Sequence, residues 1–161
     1  MAIIIRRGIP ADLKTVQHLN QELFKFEHDH GFYSDDSFNL DWPFEEAGRK
    51  YFHECLSASA ISVVFIAEVD DKSVGYLAAA YSDKAFRSTN PIAELENMYV
   101  DEVYRRQGLG SRLVDSFKEW AKDNDVARIR VGAFSANDQA LGFYRKCGFN
   151  DLEIHLEQRL S

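Results

Sequence analysis

The stretch from Ala93 to Ser111, Ala-Glu-Leu-Glu-Asn-Met-Tyr-Val-Asp-Glu-Val-Tyr-Arg-Arg-Gln-Gly-Leu-Gly-Ser, constrains this chain more than any other. Ile92, Leu95, Met98, Tyr99 and Val100 form a bulky, mostly apolar run of strand length, and Asp101 to Gln107 is polar turn material. A helix is expected from near Gly108 to about Asn124. Leu109, Leu113, Phe117, Trp120 and Ala121 recur at helical spacing, while Arg112, Asp115, Lys118, Glu119 and Lys122 take the opposite face. Glycines inside a helix cost about 1 kcal/mol each relative to alanine, so Gly108 and Gly110 in its first turn imply that something approaches the backbone closely. Free N–H groups at a helix N-terminus sit at the positive end of the dipole, and Arg105 and Arg106 add charge beside them. A phosphate or pyrophosphate ligand is expected.

Two common phosphate loops do not fit. No lysine follows Gly110, as a P-loop requires, and Leu113 stands where a dinucleotide fingerprint needs its third glycine. Arg105-Arg106-Gln107-Gly108-Leu109-Gly110 does match the pattern Gln/Arg-x-x-Gly-x-Gly/Ala. Farther on, Asn137 to Phe149 reads Asn-Asp-Gln-Ala-Leu-Gly-Phe-Tyr-Arg-Lys-Cys-Gly-Phe, an asparagine opening a helix that Phe-Tyr-x-x-x-Gly-Phe closes. In these two motifs the chain resembles the GCN5-related N-acetyltransferase (GNAT) superfamily, and the resemblance runs from Ile3 to the last expected strand.

The rest of the chain reads as follows. Ile3 to Arg7 is a strand candidate. After Pro10-Ala11-Asp12, a helix with the stripe Leu13, Val16, Leu19, Leu23 and Phe26 extends to about His28. From Glu27 to Glu46, carboxylates (Asp29, Asp35, Asp36, Asp41, Glu45 and Glu46) interleave with Phe32, Tyr33, Phe38, Trp42 and Phe44; such a mixture can hold an ammonium ion or can be a loop pinned by aromatics. A second helix is expected over Phe44 to Leu56. Ile61 to Val69 and Ser73 to Tyr81 read as a hairpin turned at Asp70-Asp71-Lys72, with Val74, Tyr76, Ala78 and Ala80 on one face. Beyond the central helix come a strand from Arg128 to Ala133, a helix capped by Ser135 or Asn137 and ended by Gly148, and a strand from Leu152 to Leu160. Hairpins followed by β-α-β crossovers imply an α/β fold with a mixed sheet and helices on both faces. The resemblance adds that the sheet is mostly antiparallel and splayed at the cofactor strand.

At 161 residues, 45% hydrophobic and 28% charged, one domain over 1–161 is expected. No run approaches a membrane span, and charges follow the short apolar N-terminal run, the reverse of a signal peptide, so a cytoplasmic protein is expected. A net charge of −7 is an unlikely balance for a nucleic-acid binder. Cys55 and Cys147 lie far apart, which suits reduced, partly buried thiols. His28-Asp29-His30 does not put both imidazoles on one helix face and has no evident third ligand, so no metal is expected.

The resemblance implies an acyl-CoA-dependent N-acetyltransferase. Acetyl-CoA would pair its pantetheine arm with the backbone of Met98, Tyr99 and Val100. Its pyrophosphate would lie on the N–H groups of Arg106, Gln107, Gly108, Leu109, Gly110 and Ser111, near Arg105, and Asn137 would hydrogen-bond the arm or only cap its helix. An alkylammonium with a pKa near 10.4 is almost wholly protonated at neutral pH, so a base is needed. Counted from the glycine motif, Glu96 matches the base position of diamine-type acetyltransferases and Glu94 that of histone-type ones; Glu96 is favoured. Tyr144 falls at the general-acid position. The resemblance also implies a homodimer. Acidity and aromatics favour a small cationic amine acceptor, with a protein lysine or N-terminus as the alternative and a non-catalytic acyl-CoA-binding module as a third reading.

Overall fold

Asp70 and Asp71 both take positive φ, 48° and 64°, the backbone of a tight two-residue turn that matches strand twist. They fold β2 (Ser62–Val69) back onto β3 (Lys72–Tyr81). In this computed structural model, which describes residues 1–33, 39–82 and 90–160, that hairpin is the centre of a five-stranded sheet. β1 (Ile3–Arg7) pairs antiparallel outside β2, β4 (Ile92–Val100) antiparallel outside β3, and β5 (Arg128–Val131) lies parallel to β4 at the far edge. The expected mixed, mostly antiparallel sheet is therefore present.

Four helices cover the two faces. On one side α1 (Leu13–Asp29) and α2 (Glu46–Leu56) bring Val16, Phe52, Cys55 and Leu56 onto Val64, Ile66, Tyr76 and Ala78. On the other, α3 (Leu109–Asp123) buries Leu109, Leu113, Val114, Phe117, Trp120 and Ala121 against Val63, Leu77 and Leu95, and α4 (Asp138–Lys146) packs Phe143 and Tyr144 at its margin. Trp42 and Phe44 belong to this framework: Trp42 packs on Phe52 and Tyr51, and Phe44 meets His18 edge-on. Asp35, Asp36 and Phe38 lie outside the described residues. Cys55 is buried and its thiol is pushed up to about 11 by that burial; Cys147 is half-buried and shifted the same way, so neither is an activated nucleophile. Among the described residues no helix is long and apolar enough to cross a membrane.

Two expectations from the sequence change, and β4 carries an irregularity of its own. Ala67 pairs with Gly75 but Glu68 with Ser73, so Val74 is an extra residue and turns into the α3 core, opposite Tyr76 and Ala78 rather than beside them. A second bulge lies in β4, where Ala78 pairs with Asn97 and Ala79 with Leu95, leaving Glu96 unopposed. The segment from Leu152 to Leu160 forms no strand and is exposed throughout, because no described segment pairs with its backbone.

Candidate active site

β4 and β5 pair only from Ile92 to Leu95, against Arg128 to Val131. The bulge at Glu96 falls where this pairing ends, and bulges bend and twist a strand. Past it, β4 keeps β3 on one side and opens on the other to a cleft of 680 Å³ lined by Met98, Tyr99 and Val100.

The N-terminus of α3 closes one end. Arg106 and Gly108 take positive φ, 61° and 84°, and turn the chain from β4 into the helix. The first intrahelical bond runs from Arg112 N–H to Gly108 O at 3.1 Å, so the preceding N–H groups have no helical acceptor, and Gly108, Leu109, Gly110 and Ser111 line the cleft. Gly110 is small for a reason the sequence did not show: a Cβ there would stand 3.2 Å from Cζ of Phe143, so the residue sets how closely α4 approaches α3. Arg105 lines the cleft too, but its Nε donates to Val100 O at 2.8 Å and its guanidinium lies 4.3 Å from the Phe26 ring centroid. It braces the end of β4 as well as supplying charge.

From α4, Asn137 and Tyr144 face the same space. Asn137 is the helix cap, its Oδ1 accepting from Ala140 N–H at 3.0 Å. The Tyr144 ring packs edge-on against Phe143 and Phe149, and burial, with Cys147 and Glu27 nearby, pushes its phenol above the ordinary value. It holds its proton throughout the neutral range.

Met98, Tyr99, Val100, Arg105, Arg106, Gly108, Leu109, Gly110, Ser111, Asn137 and Tyr144 thus meet at one cleft. Gln107 does not line it; its amide donates to Val103 O at 3.2 Å. Nor do Glu94 and Glu96 line it. Glu94, paired with Ala80 and Arg130, and Glu96 both lie on the α1–α2 face. Glu96 accepts from the Tyr51 hydroxyl, which accepts from Asn97 Nδ2 at 3.0 Å, and Asn20 Nδ2 reaches Asn97 Oδ1 at 3.5 Å and Tyr76 Oη at 2.8 Å. A polar chain therefore links Glu96 to the buried heart of the α1–α2 face, where Asn20 Oδ1 has no partner among the described residues.

Glu27 is the residue that motif reading missed. It is half-buried on α1, lines the cleft, and its carboxyl is pushed up to about 7 by burial. Val16, Asn20, Leu23 and Glu27 fall at helical spacing on one stripe. A carboxylate on an apolar stripe was the available signal. Beyond it, Phe32 and Tyr33 stack near Phe134, with ring centroids 6.4 and 5.3 Å away, and make an aromatic patch after α1.

The acetyltransferase (GNAT) family model matches residues 17–149. Glucosamine 6-phosphate N-acetyltransferase 1 of Oryza sativa subsp. japonica is 31% identical over 116 residues, 70% of this chain and 67% of that protein. Thialysine N-epsilon-acetyltransferase of Bos taurus is 27% identical over 152 residues, 93% of this chain and 85% of the relative. Among solved structures, the aminoglycoside N-acetyltransferase AAC(6')-Iy in complex with CoA superposes with a TM-score of 0.75 at 19% identity, covering 98% of this chain and 94% of that one, a likeness of fold. With the match spanning most of the chain and both sequence motifs lying within it, the chain belongs to the acetyltransferase (GNAT) family.

Proposed function

We propose that this chain transfers an acetyl group from acetyl-CoA to a primary amine of a small cationic molecule, by direct attack in a ternary complex, as a cytoplasmic homodimer. The observation that carries the reading is the open edge of β4 from Met98 to Val100 running into the free N–H groups of α3. An extended, amide-bearing arm ending in a pyrophosphate suits such a groove, by backbone pairing along the strand and by helix-terminus charge at its end. Relatives named for thialysine, aminoglycosides and glucosamine 6-phosphate support a small amine acceptor.

In this reading Met98 to Val100 and the Gly108–Ser111 turn hold the donor, and the Met98 N–H polarises the thioester carbonyl. Glu27 receives the acceptor's ammonium. Glu96, with Glu94 as the alternative, takes up the amine proton through solvent, and the Tyr51–Asn97–Asn20 chain holds Glu96 in place. Tyr144 returns a proton to the departing thiolate.

Thiol release from acetyl-CoA in the presence of spermidine, short diamines, thialysine, aminoglycosides, glucosamine 6-phosphate and a lysine peptide tests the assignment against an acceptor-free blank. Turnover with the cationic small amines is expected. Turnover with the peptide alone would move the assignment to protein acetylation, and acetyl-CoA binding without turnover on any acceptor would argue for a binding module. A second prediction concerns the donor end. Gly110→Leu is expected to weaken acetyl-CoA binding at least tenfold by calorimetry, since its side chain must push Phe143 and α4 away; native affinity would separate this helix terminus from phosphate binding.

A further inference from the structure

A second cavity, of 290 Å³, lies at the end of α1. It is lined by Phe26 in the last turn of α1, His30 at its C-cap, Glu102, Arg105 and Arg106 from the turn after β4, and Gln139 of α4. Phe26, Arg105, Arg106 and Gln139 also line the main cleft, so the two spaces adjoin there.

The polar groups of this cavity differ in how far the fold already uses them. Arg105 is engaged by Val100 O and by the Phe26 ring. The side chains of Arg106, Gln139 and Glu102 make no hydrogen bond or ion pair among the described residues. His30 is engaged on one side only. Its Nδ1 lies 2.7 Å from Phe26 O, and a carbonyl oxygen only accepts, so Nδ1 donates and the neutral ring leaves Nε2 as a bare acceptor. The ring centroid stands 4.0 Å from that of Phe26 and 5.4 Å from that of Phe32, which fixes the imidazole between them.

That tautomer decides what the cavity can hold. A bare Nε2 turns its lone pair on an anion, whereas a protonated one donates to it and carries charge. Two guanidinium groups and one carboxylate leave the cavity a surplus of one positive charge, and a protonated His30 raises the surplus to two. A pyrophosphate linkage is doubly anionic, and an anion beside an imidazole favours its charged form. The other titratable groups close by do not line this cavity: Glu27 and Asp138 line the main cleft, and His28 and Asp29 meet each other at 3.3 Å.

We propose that His30, in its protonated form, binds a phosphate of the donor together with Arg106 and Gln139, so that acetyl-CoA binding takes up a proton. The glycine turn before α3 offers backbone N–H groups, which do not titrate. His30 adds a wall that does, from the helix on the other face of the sheet. Because the bound state holds the extra proton, affinity falls as pH rises through the range in which imidazoles lose their charge. The proposal rests on the donor reading and is independent of the acceptor.

Calorimetry of acetyl-CoA binding in buffers of different ionisation enthalpy, between pH 6 and pH 8, counts the protons taken up. Uptake is expected in the parent and also in Glu27→Gln, which removes the cleft carboxyl that titrates in the same range. It is expected to vanish in His30→Phe, which keeps a ring between Phe26 and Phe32 without the charge. At pH 6 this variant should bind acetyl-CoA about fivefold more weakly, the worth of a charge-assisted hydrogen bond at an exposed site, and at pH 8 it should bind as the parent does. Dephospho-acetyl-CoA separates the two sources of phosphate: uptake retained assigns the contact to the pyrophosphate, and uptake lost assigns it to the 3'-phosphate. Acetyl-pantetheine, which has neither, should bind with no uptake. Undiminished uptake in His30→Phe, or equal uptake with acetyl-pantetheine, would overturn the proposal alone. A parent that does not bind acetyl-CoA would overturn the donor reading with it.

Discussion

Tyr144→Phe is expected to lower kcat by about two orders of magnitude, the usual loss when a positioned proton donor is removed, while acetyl-CoA affinity changes little. The Tyr144 ring is fixed between Phe143 and Phe149, and phenylalanine keeps both contacts, so the variant should fold and bind as the parent does. The residue lines the cleft, and its hydroxyl makes no hydrogen bond among the described residues. With its pKa above the ordinary tyrosine value, chiefly through burial, the phenol is a donor rather than a base at neutral pH. A thiolate leaving group needs that proton most when the acceptor is weakly reactive, so the loss should be largest for the poorest amines. Single-turnover kinetics separate the step from product release. An unchanged rate of chemistry would remove Tyr144 from proton transfer and leave it as a wall of the cleft.

Much of this arrangement was legible before any fold was known, and the parts that were not share a cause. Periodicity located β4, the helix after Gly108 and the β2–β3 hairpin, because each depends on side-chain pattern and turn chemistry within a short window. The two bulges were invisible, since Val74 and Glu96 are displaced by register against a neighbouring strand and not by anything in their own sequence. The Glu96 bulge matters most here. It lies where β4 parts from β5 and sets Glu96 and Asn97 together toward Tyr51. At Gly110 the close approach expected from the sequence has a second source that no local pattern shows, Phe143 of another helix. For Leu152 to Leu160 the expected strand is absent, because a strand needs a neighbouring backbone to pair with and no described segment pairs with this one.

Glu27→Gln is expected to lower kcat/KM for a cationic acceptor by one to two orders of magnitude, about the worth of a charge-assisted hydrogen bond, and at the same time to stabilise the protein without ligand. The two effects have one origin. In the folded chain the Glu27 carboxyl is pushed up to about 7, above its ordinary 4.5, because burial disfavours the charged form and no cation among the described residues compensates it. Folding therefore takes up a proton between those values, and stability falls as pH rises from about 4.5 to 7. At pH 8 the full penalty is present. It is about 2 kcal/mol, from 1.36 kcal/mol per pKa unit reduced for the water that reaches a half-buried group. Below pH 4 the carboxyl is protonated in both states and the parent and variant should unfold alike, so thermal melts across this range should diverge steadily toward high pH. A bound ammonium reverses the situation, since an opposite charge in the cleft favours the ionised carboxylate. The parent's kcat/KM should then rise through pH 7 with a limb that the variant lacks. Equal acceptor kinetics in the two proteins would place recognition elsewhere. A variant less stable than the parent at pH 8 would mean that the carboxylate is already well held without a ligand, and that the cleft has no stored preference for a cation.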